Sequence, residues 1–431
     1  MKKFLSLLAF LFLAYPAFSY DMLYRQFEPE NPAPKPQENI DWFDFVAFNS
    51  YDEKSPRVLL IGDSIVRGFQ SDLQEELKKD GVNVSAWASS MCASDPDYIY
   101  ALNLALEEGK FDVIGFHNGG HLHIPSWKDR KERIVNAINF IKTKAPSKKM
   151  FLMSRTPLKD NRPIEDVALY EISKETGLPI VDFMGAMQGL DRNECWADDG
   201  VHFKPAGTKF QALLVAKTIR NLLRQGGISN PDGCLDSPLD FNLCMRFNAK
   251  SKEGRRIVLV GGELRHVSHR LREKFASVAN FTYWDSSKGV LHPDYNRLVS
   301  YALSLLPFDA VVFKPQFSQN KDINAWSEAY VKALDLISKK HKSAKIILAT
   351  NETGNPSTRA AALTQNKFIR KIAAERNLLL ADFDNSKSQF EVLQDAVCKA
   401  FGWSEGERGG VVQLGSKYGP RGEIKKHSLG M

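Results

Sequence analysis

The chain has 431 residues, of which 43% are hydrophobic and 25% are charged, and its formal net charge is +7. This is an ordinary globular balance, and the length allows two or three domains. The basic residues are scattered rather than massed on one helix or tail, which excludes nucleic acid as the expected partner and favours a solvated surface suited to anionic polysaccharide or cell envelope.

The start of the chain has the pattern of a secretory signal. Lys2 and Lys3 form a basic start, residues 4–15 are nearly all apolar, and Ala17-Phe18-Ser19 places small residues where a signal peptidase reads. A membrane anchor is the alternative, but the apolar run is short for a span. We therefore predict cleavage after Ser19 and a secreted or periplasmic protein without a stable membrane anchor. Removal of both lysines leaves a charge of 7 − 2 = +5.

Export permits disulfides, and the chain has five cysteines, which are Cys92, Cys195, Cys234, Cys244 and Cys398. Cys234 and Cys244 bracket a short loop and are the predicted pair, with Cys92 and Cys195 as a second candidate pair. The odd number leaves at least one thiol without an intrachain partner. No spacing among these cysteines indicates a metal site.

Residues 20–54 are predicted to form an extended N-terminal arm. This stretch is rich in proline and acidic residues, and its aromatic residues indicate that it is anchored on the first domain rather than loose. These aromatic residues are Trp42, Phe43, Phe45 and Phe48.

A buried strand then runs into a Gly62-Asp63-Ser64 turn. Residues 58–61 are apolar without alternation, as in a parallel strand covered on both faces, and beyond Ser64 apolar residues recur at helical spacing. Ser64 is thus predicted at the carboxyl edge of a sheet and near a helix N-terminus, where a nucleophilic serine can act. Taken alone, however, Ser64 fits a helix N-cap slightly better than a nucleophile.

Strands and helices continue to alternate up to residue 225, which predicts a parallel sheet covered on both faces. The further strands are predicted at 82–87, 112–116, 150–153 and 180–183. The helices are predicted at about 65–79, 97–108, 128–144 and 164–176, and from Pro205 onward with Phe210, Leu213, Leu214 and Leu223 facing inward. Residues 226–254 are rich in turn-forming residues and are predicted to be an inter-domain linker.

The pattern of the first domain, residues 55–225, then recurs in residues 255–431. Five segments of the first domain have counterparts in the same order at offsets between 197 and 200; for example, residues 257–261 mirror 58–62. Such regular spacing indicates an internal duplication. We therefore predict two tandem three-layer α/β/α sandwiches with parallel sheets.

Two further stretches of the first domain carry polar groups at predicted strand ends. Asn118 lies in a Gly-rich turn after the third strand, where its amide could donate to an oxyanion, although Asn-Gly also suits an ordinary turn. Asp199 and His202 are three residues apart on the loop that enters the Pro205 helix. This spacing lets a carboxylate orient an imidazole, although an aspartate can equally cap the helix.

The ordered set of Gly62-Asp63-Ser64, Asn118 and Asp199-x-x-His202 resembles the SGNH/GDSL hydrolase superfamily over residues 55–225. The resemblance implies a flavodoxin-like fold, with Ser64 as nucleophile, His202 as base and Asp199 orienting it. It also implies an oxyanion hole built from Asn118 and the Ser64 N–H, and no cofactor. The family's glycine after the second strand is absent here, and of its Gly-x-Asn-Asp block only the asparagine is present.

The loop around Asn118 also carries His117, Gly119, His121 and His123. A metal site is conceivable here, but near-adjacent histidines without a carboxylate partner are weak evidence for one, so we expect no metal. We expect His117, Gly119 and His121 to line the substrate cleft instead.

The second repeat lacks this set of residues. Gly262-Glu263 replaces Asp63-Ser64, Pro315 replaces Asn118, and no Asp-x-x-His follows the last strand. We expect a non-catalytic copy, kept for stability, dimer contacts or ligand binding.

The expected activity is a secreted serine esterase that acts on an O-acyl ester of a carbohydrate, with acetyl as the first expectation, through an acyl-Ser64 intermediate. The substrate could be a small molecule or a polysaccharide. Two alternatives stay open: a non-catalytic protein that binds glycan or a partner, and an acyltransferase or lipase that uses the same serine. The oligomeric state is not predicted.

Overall fold

The fold was analysed in a computed structural model. It describes residues 40–50, 52–93, 98–117, 127–146, 149–160, 167–227, 239–248, 254–262, 264–275, 277–286, 288–304, 307–318, 322–384 and 388–404. Among these residues, no helix combines the length and apolar character that a membrane span requires. The predicted signal sequence lies outside the described residues.

The first half of the protein, residues 40–225, alternates strands and helices. Its strands are β1 (Ile40–Phe48), β2 (Arg57–Gly62), β3 (Asn83–Ser89), β4 (Val113–Phe116), β5 (Lys149–Met153) and β6 (Ile180–Val181). Its helices are α1 (Ser64–Lys78), α2 (Tyr98–Glu107), α3 (Trp127–Lys144), α4 (Val167–Thr176), the short α5 (Phe183–Ala186) and α6 (Arg192–Cys195), and α7 (Pro205–Gln225).

The second half, residues 239–404, has a similar order of elements. Its strands are β7 (Leu239–Asn248), β8 (Arg255–Val260), β9 (Ala279–Asp285), β10 (Ala310–Phe313), β11 (Lys345–Ala349) and β12 (Leu379–Ala381). Its helices are α8 (Arg265–Lys274), α9 (Tyr295–Ser304), α10 (Ile323–Lys340), α11 (Arg359–Glu375) and α12 (Gln389–Phe401).

The described strands form one 12-stranded sheet in the order β12-β11-β10-β8-β9-β7-β1-β3-β2-β4-β5-β6. Within it, the blocks β3-β2-β4-β5-β6 and β9-β8-β10-β11-β12 are each parallel. Both blocks have the 2-1-3-4-5 strand order of flavodoxin-like folds. This confirms the predicted α/β class.

The sequence did not indicate that the two sheets are joined. Strands β1 and β7 pair antiparallel with each other, and each also pairs antiparallel with the parallel block of its own half. The predicted arm and the predicted linker therefore each contain a strand, and β7 corrects the expectation that 226–254 only connects two domains. Asp41 of β1 and Asp240 of β7 lie 240 − 41 = 199 residues apart, within the offset range of the repeat.

Side chains of β2 alternate between the two faces of the sheet, and every residue of the strand is buried. Leu59 and Ile61 pack in a cluster with α2, α3 and α4, and this cluster continues into the second half. Val58 and Leu60 pack on the opposite face with α1 and α7. The apolar run is therefore unalternating because both faces are covered by helices.

Two side-chain expectations were wrong. Leu213 is 53% exposed rather than inward, because α7 turns Ala212, Val215 and Ala216 toward the sheet. Cys92 and Cys195 are separate buried thiols, and they belong to clusters on opposite faces of the sheet. The predicted pair of Cys234 with Cys244 stays a prediction, because Cys234 lies outside the described residues.

Candidate active site

Ser64 is the first residue of α1, directly after the end of β2. The N-cap of this helix is Asp63, whose Oδ1 accepts a hydrogen bond from the Ile65 N–H at 2.8 Å. A Cβ on Gly62 would lie 2.3 Å from a methyl carbon of Val66, so only glycine lets the helix start this close to the strand. Because Asp63 caps the helix, the hydroxyl of Ser64 is left for another partner.

That partner is His202, which is 138 residues away in the chain. Ser64 Oγ lies 2.9 Å from His202 Nε2, and His202 Nδ1 lies 2.6 Å from Asp199 Oδ2. A carboxylate can only accept a hydrogen bond, so Nδ1 carries a proton in this arrangement. Nε2 of a neutral ring is then the acceptor that faces the serine hydroxyl. The structure thus brings Ser64, His202 and Asp199 into one hydrogen-bonded chain.

The loop that carries Asp199 and His202 is folded tightly on itself. Asp199 Oδ1 accepts hydrogen bonds from the Val201 and His202 N–H groups, each at 2.9 Å, and Gly200 between them has a φ of +75°. Burial raises the pKa of the Asp199 carboxyl, but the hydrogen bonds from His202 and Val201 outweigh it and hold this pKa below its usual value. Asp199 therefore stays a carboxylate over the working pH range.

Sequence reasoning missed the groups that support this loop. The fully buried Trp196 pairs across the loop with Phe203, and its Nε1 donates to the Pro157 carbonyl at 2.9 Å. The guanidinium of Arg192 lies 4.2 Å from the Trp196 ring centre. Lys159 N–H donates to the Gly200 carbonyl at 2.9 Å. These contacts hold the backbone at Asp199 and His202 against the segment that follows β5.

Of the two predicted oxyanion donors, only the Ser64 N–H belongs to the described residues. Asn118, Gly119 and His121 lie outside the described residues. As the first residue of a helix, Ser64 has an N–H without an intrahelical acceptor. In the loop after β3, by contrast, the Ser90 N–H donates to the Trp42 carbonyl and the Met91 N–H to Ser89 Oγ, each at 2.9 Å. Neither of these two groups can replace the missing glycine as an oxyanion donor without breaking its bond.

His117 does not line the cleft as expected. His117 is only 2% exposed, and its Nδ1 lies 3.1 Å from the Met153 carbonyl oxygen. Its Nε2 lies 3.5 Å from Asp63 Oδ1. The Cβ of His117 lies against Gly62, where β2 meets α1, and this packing is not visible in a sequence pattern.

Strand β1 also contacts the helix that begins with Ser64. Arg67, one turn along α1, donates to Asp44 Oδ2 at 2.8 Å and lies 4.4 Å from the Trp42 ring centre. Since β1 pairs with β7 as well, the helix is tied to the seam between the two halves.

The corresponding edge of the second half is built differently. Glu263, in place of Ser64, lies outside the described residues. Only six residues (389 − 382 − 1) separate Asp382 from α12, against 22 (205 − 182 − 1) between Asp182 and α7. This interval is too short for a loop like the one that carries Asp199 and His202. Asp382 and Asp384 instead bind Arg370, at 2.9 and 2.7 Å.

No family model and no curated protein match the chain. Among solved structures, a family 3 carbohydrate esterase from Clostridium thermocellum is 20% identical and matches 40% of this chain and 99% of its own, with a TM-score of 0.34. A lipase/acylhydrolase from Enterococcus faecalis is 18% identical over 38% and 96%, with a TM-score of 0.32.

A GDSL-like lipase from Bacteroides thetaiotaomicron is 18% identical over 40% of this chain and 91% of its own, with a TM-score of 0.30. Each of these proteins thus matches a segment of this chain with almost its full length. Many of the solved structures that this chain resembles are GDSL/SGNH hydrolases and carbohydrate esterases, and they cover about 40% of it.

Proposed function

We propose that the protein is a serine esterase of the SGNH type, with Ser64 as nucleophile, His202 as base and Asp199 as the group that orients His202. The observation that carries the proposal is the chain of hydrogen bonds from Ser64 Oγ through the His202 ring to Asp199, at 2.9 and 2.6 Å. A hydroxyl, an imidazole and a carboxylate in this order are what nucleophilic catalysis by serine requires.

The proposed reaction has two steps. His202 Nε2 takes the proton of Ser64 Oγ while this oxygen attacks the ester carbonyl, and the negative charge on the carbonyl oxygen is held by the Ser64 N–H and the Asn118 amide. His202 then gives its proton to the leaving alcohol, and an acyl-Ser64 ester results. In the second step His202 Nε2 takes a proton from water while the water oxygen attacks the acyl carbonyl. The bond between this carbonyl carbon and Ser64 Oγ then breaks, His202 returns its proton to Ser64 Oγ, and the acid is released.

For the substrate we propose an O-acetyl ester of a carbohydrate, met outside the cytoplasm. The signal-like start of the chain supports export, and an exported esterase meets polysaccharide esters. The second half is proposed to be non-catalytic, because its strand end carries Gly262-Glu263 and no histidine lies in the six residues between Asp382 and α12. Glu263→Ala should accordingly leave turnover unchanged.

The test is covalent labelling with a fluorophosphonate probe, together with turnover of p-nitrophenyl acetate. Wild type should be labelled, and Ser64→Ala should lose both labelling and turnover. Ser71→Ala is the matched control, because Ser71 lies on the exposed side of the same helix. Absent labelling of a folded wild type, or equal turnover in Ser64→Ala, would refute the esterase.

The substrate class needs a separate experiment. Acetate release from O-acetylated polysaccharides should exceed hydrolysis of long-chain p-nitrophenyl esters, whereas the reverse preference would indicate a lipase. A large excess of an alcohol acceptor should leave free acetate as the main product. Transfer of most acetyl groups to that acceptor would indicate an acyltransferase instead.

A further inference from the structure

His117 is a buried histidine to which the proposed reaction gives no part. Its N–H donates to the Ile61 carbonyl at 2.8 Å, so the residue continues β4 beside the end of β2. Its Cβ lies 3.3 Å from the place where a Cβ on Gly62 would stand. The ring therefore lies directly beneath the turn that presents Ser64.

The partners of the two ring nitrogens define where the protons are. Nδ1 lies 3.1 Å from the Met153 carbonyl oxygen, which can only accept, so Nδ1 carries a proton. Nε2 lies 3.5 Å from Asp63 Oδ1, which already accepts from the Ile65 N–H. A neutral ring would turn its Nε2 lone pair toward this carboxylate. A proton on Nε2 replaces that repulsion with an ion pair.

We infer that His117 is held as an imidazolium paired with Asp63, and that this buried pair positions Ser64. The connection to the nucleophile is covalent, since Asp63 precedes Ser64 in the chain and caps the helix that Ser64 begins. The pair therefore holds the turn that presents the Ser64 hydroxyl and N–H. This positioning role rests on the proposed function, whereas the charge of His117 does not.

Burial has two opposed effects on this pair. The His117 and Asp63 side chains are 1% and 6% exposed, so water screens their attraction little, but both charges lose their hydration. Removal of either partner would therefore leave an uncompensated buried charge. Among the described residues at this edge, Asp199 and His202 bond each other, and Arg67 of α1 bonds Asp44.

The second half offers an independent parallel. Its residue at the same strand position is Lys314, whose N–H donates to the Val260 carbonyl at 2.9 Å, as His117 does to Ile61. Lys314 is 1% exposed, and its Nζ lies 3.5 Å from the carbonyl of Gly262, the counterpart of Asp63. This position beneath the turn thus holds a basic side chain in both halves.

Two near-isosteric variants separate the functions of the two ring nitrogens. In His117→Gln the amide nitrogen can reach the position of Nε2 and donate to Asp63, whereas in His117→Asn it reaches only the position of Nδ1 and keeps the Met153 bond. We expect His117→Asn to lower kcat about 100-fold with KM changed less than about twofold, since small misplacements near the reacting atoms have effects of this size. His117→Gln should lose about tenfold or less.

The pH profile gives a readout that a merely structural role would not move. Wild-type kcat should fall at alkaline pH as His117 loses its Nε2 proton, and this fall should be absent in His117→Gln, whose amide does not titrate. Similar unfolding temperatures of the two variants would show that the difference is not one of folding.

The charge itself is measured by long-range ¹H–¹⁵N NMR of the histidine rings at pH 7. The signal that disappears in His117→Gln should show both nitrogens protonated in wild type. A neutral ring protonated only on Nδ1 would overturn the inference, as would equal activity of the Asn and Gln variants. If the fluorophosphonate probe fails to label wild type, the esterase proposal falls, while the NMR result still decides the charge of His117.

Discussion

Arg297 of the second half donates a hydrogen bond to Glu108 of the first half at 2.6 Å. The Glu108 side chain is only 4% exposed, whereas Arg297 is 33% exposed. The contact lies on the face of the sheet where one apolar cluster runs through both halves. It therefore joins the halves by charge where β1 and β7 join them by backbone pairing.

Arg297→Gln should lower the free energy of unfolding by about 2 to 4 kcal/mol, because it leaves the carboxylate of Glu108 buried without its cation. Urea unfolding followed by fluorescence and by circular dichroism would measure the loss. Arg376→Gln serves as control, since the pair of Arg376 with Asp335 lies within the second half and is exposed. If Arg376→Gln lowered the free energy of unfolding as much as Arg297→Gln, the burial of Glu108 could not explain the effect.

Asp199→Asn tests the orientation of His202. An asparagine oxygen could still accept from the ring, but the negative charge that stabilises the imidazolium would be gone, and the amide could favour the wrong tautomer. We expect kcat to fall by about four orders of magnitude with little change in KM, as for the same change in other serine–histidine–aspartate sites.

Steady-state hydrolysis of p-nitrophenyl acetate measures this effect. Asp198→Asn is the neighbouring control: the Asp198 side chain is 98% exposed, and its Oδ1 lies 3.8 Å from Lys159 Nζ. Its kcat should stay within about twofold of wild type. Equal rates for Asp199→Asn and Asp198→Asn would remove Asp199 from the proposed mechanism.

The sequence predicted the parallel halves well, because their strands are local patterns. Residues 58–61 are an apolar run covered on both faces, and all four side chains are fully buried. The pairing of β1 with β7 leaves no such pattern, since it depends on backbone groups about 200 residues apart. Prolines and turn residues around these two segments therefore suggested an arm and a linker.

Proximity of Ser64, Asp199 and His202 could be predicted for a related reason: carboxyl ends of parallel strands meet at one edge of the sheet. The support from Trp196 and Arg192 could not, because their partners at Pro157 and Leu158 come from a different loop. The sequence neighbours of His117 predict a place in the cleft, but its burial arises from tertiary packing beside Gly62 and Asp63.

Gly200→Ala tests whether the turn between Asp199 and His202 positions the base. An alanine Cβ at Gly200 would not clash, since its nearest neighbour would lie at 3.7 Å. The backbone φ of +75°, however, disfavours any residue other than glycine. We expect a loss of about 1 kcal/mol in stability and a fall in kcat of about tenfold or more as His202 shifts from Ser64.

Gly177→Ala is the matched control for this backbone change. Gly177 has a φ of +68°, a Cβ there would meet nothing within 4 Å, and it ends α4 outside the site. Both variants should unfold at similarly lowered temperatures, but only Gly200→Ala should lose kcat. A loss of kcat in both would show that strain lowers activity indirectly.

Acid should weaken the second half through Asp382 and Asp384. Hydrogen bonds from Arg370 hold the pKa of each carboxyl below its usual value, with further support from Thr350 and Thr353. A carboxyl with a lowered folded pKa stabilises the protein fully above its unfolded pKa, which is about 4. That contribution is lost as the pH falls through the lower folded pKa, because the unfolded chain then binds more protons.

Arg370→Met should therefore lower the free energy of unfolding at pH 7 by about 1 to 2 kcal/mol, a value reduced because the guanidinium is partly exposed. It should also flatten the decline in stability between pH 4 and pH 2.5, since the hydrogen bonds that do most to lower the pKa of both carboxyls are removed. Lys371→Met is the control: it removes an exposed cation of the same helix, whose nearest acid is Glu375 at 3.7 Å. Urea titrations across this pH range would measure the free energy of unfolding of each variant. An equally steep decline in Arg370→Met and wild type would show that the acid sensitivity arises elsewhere in the protein.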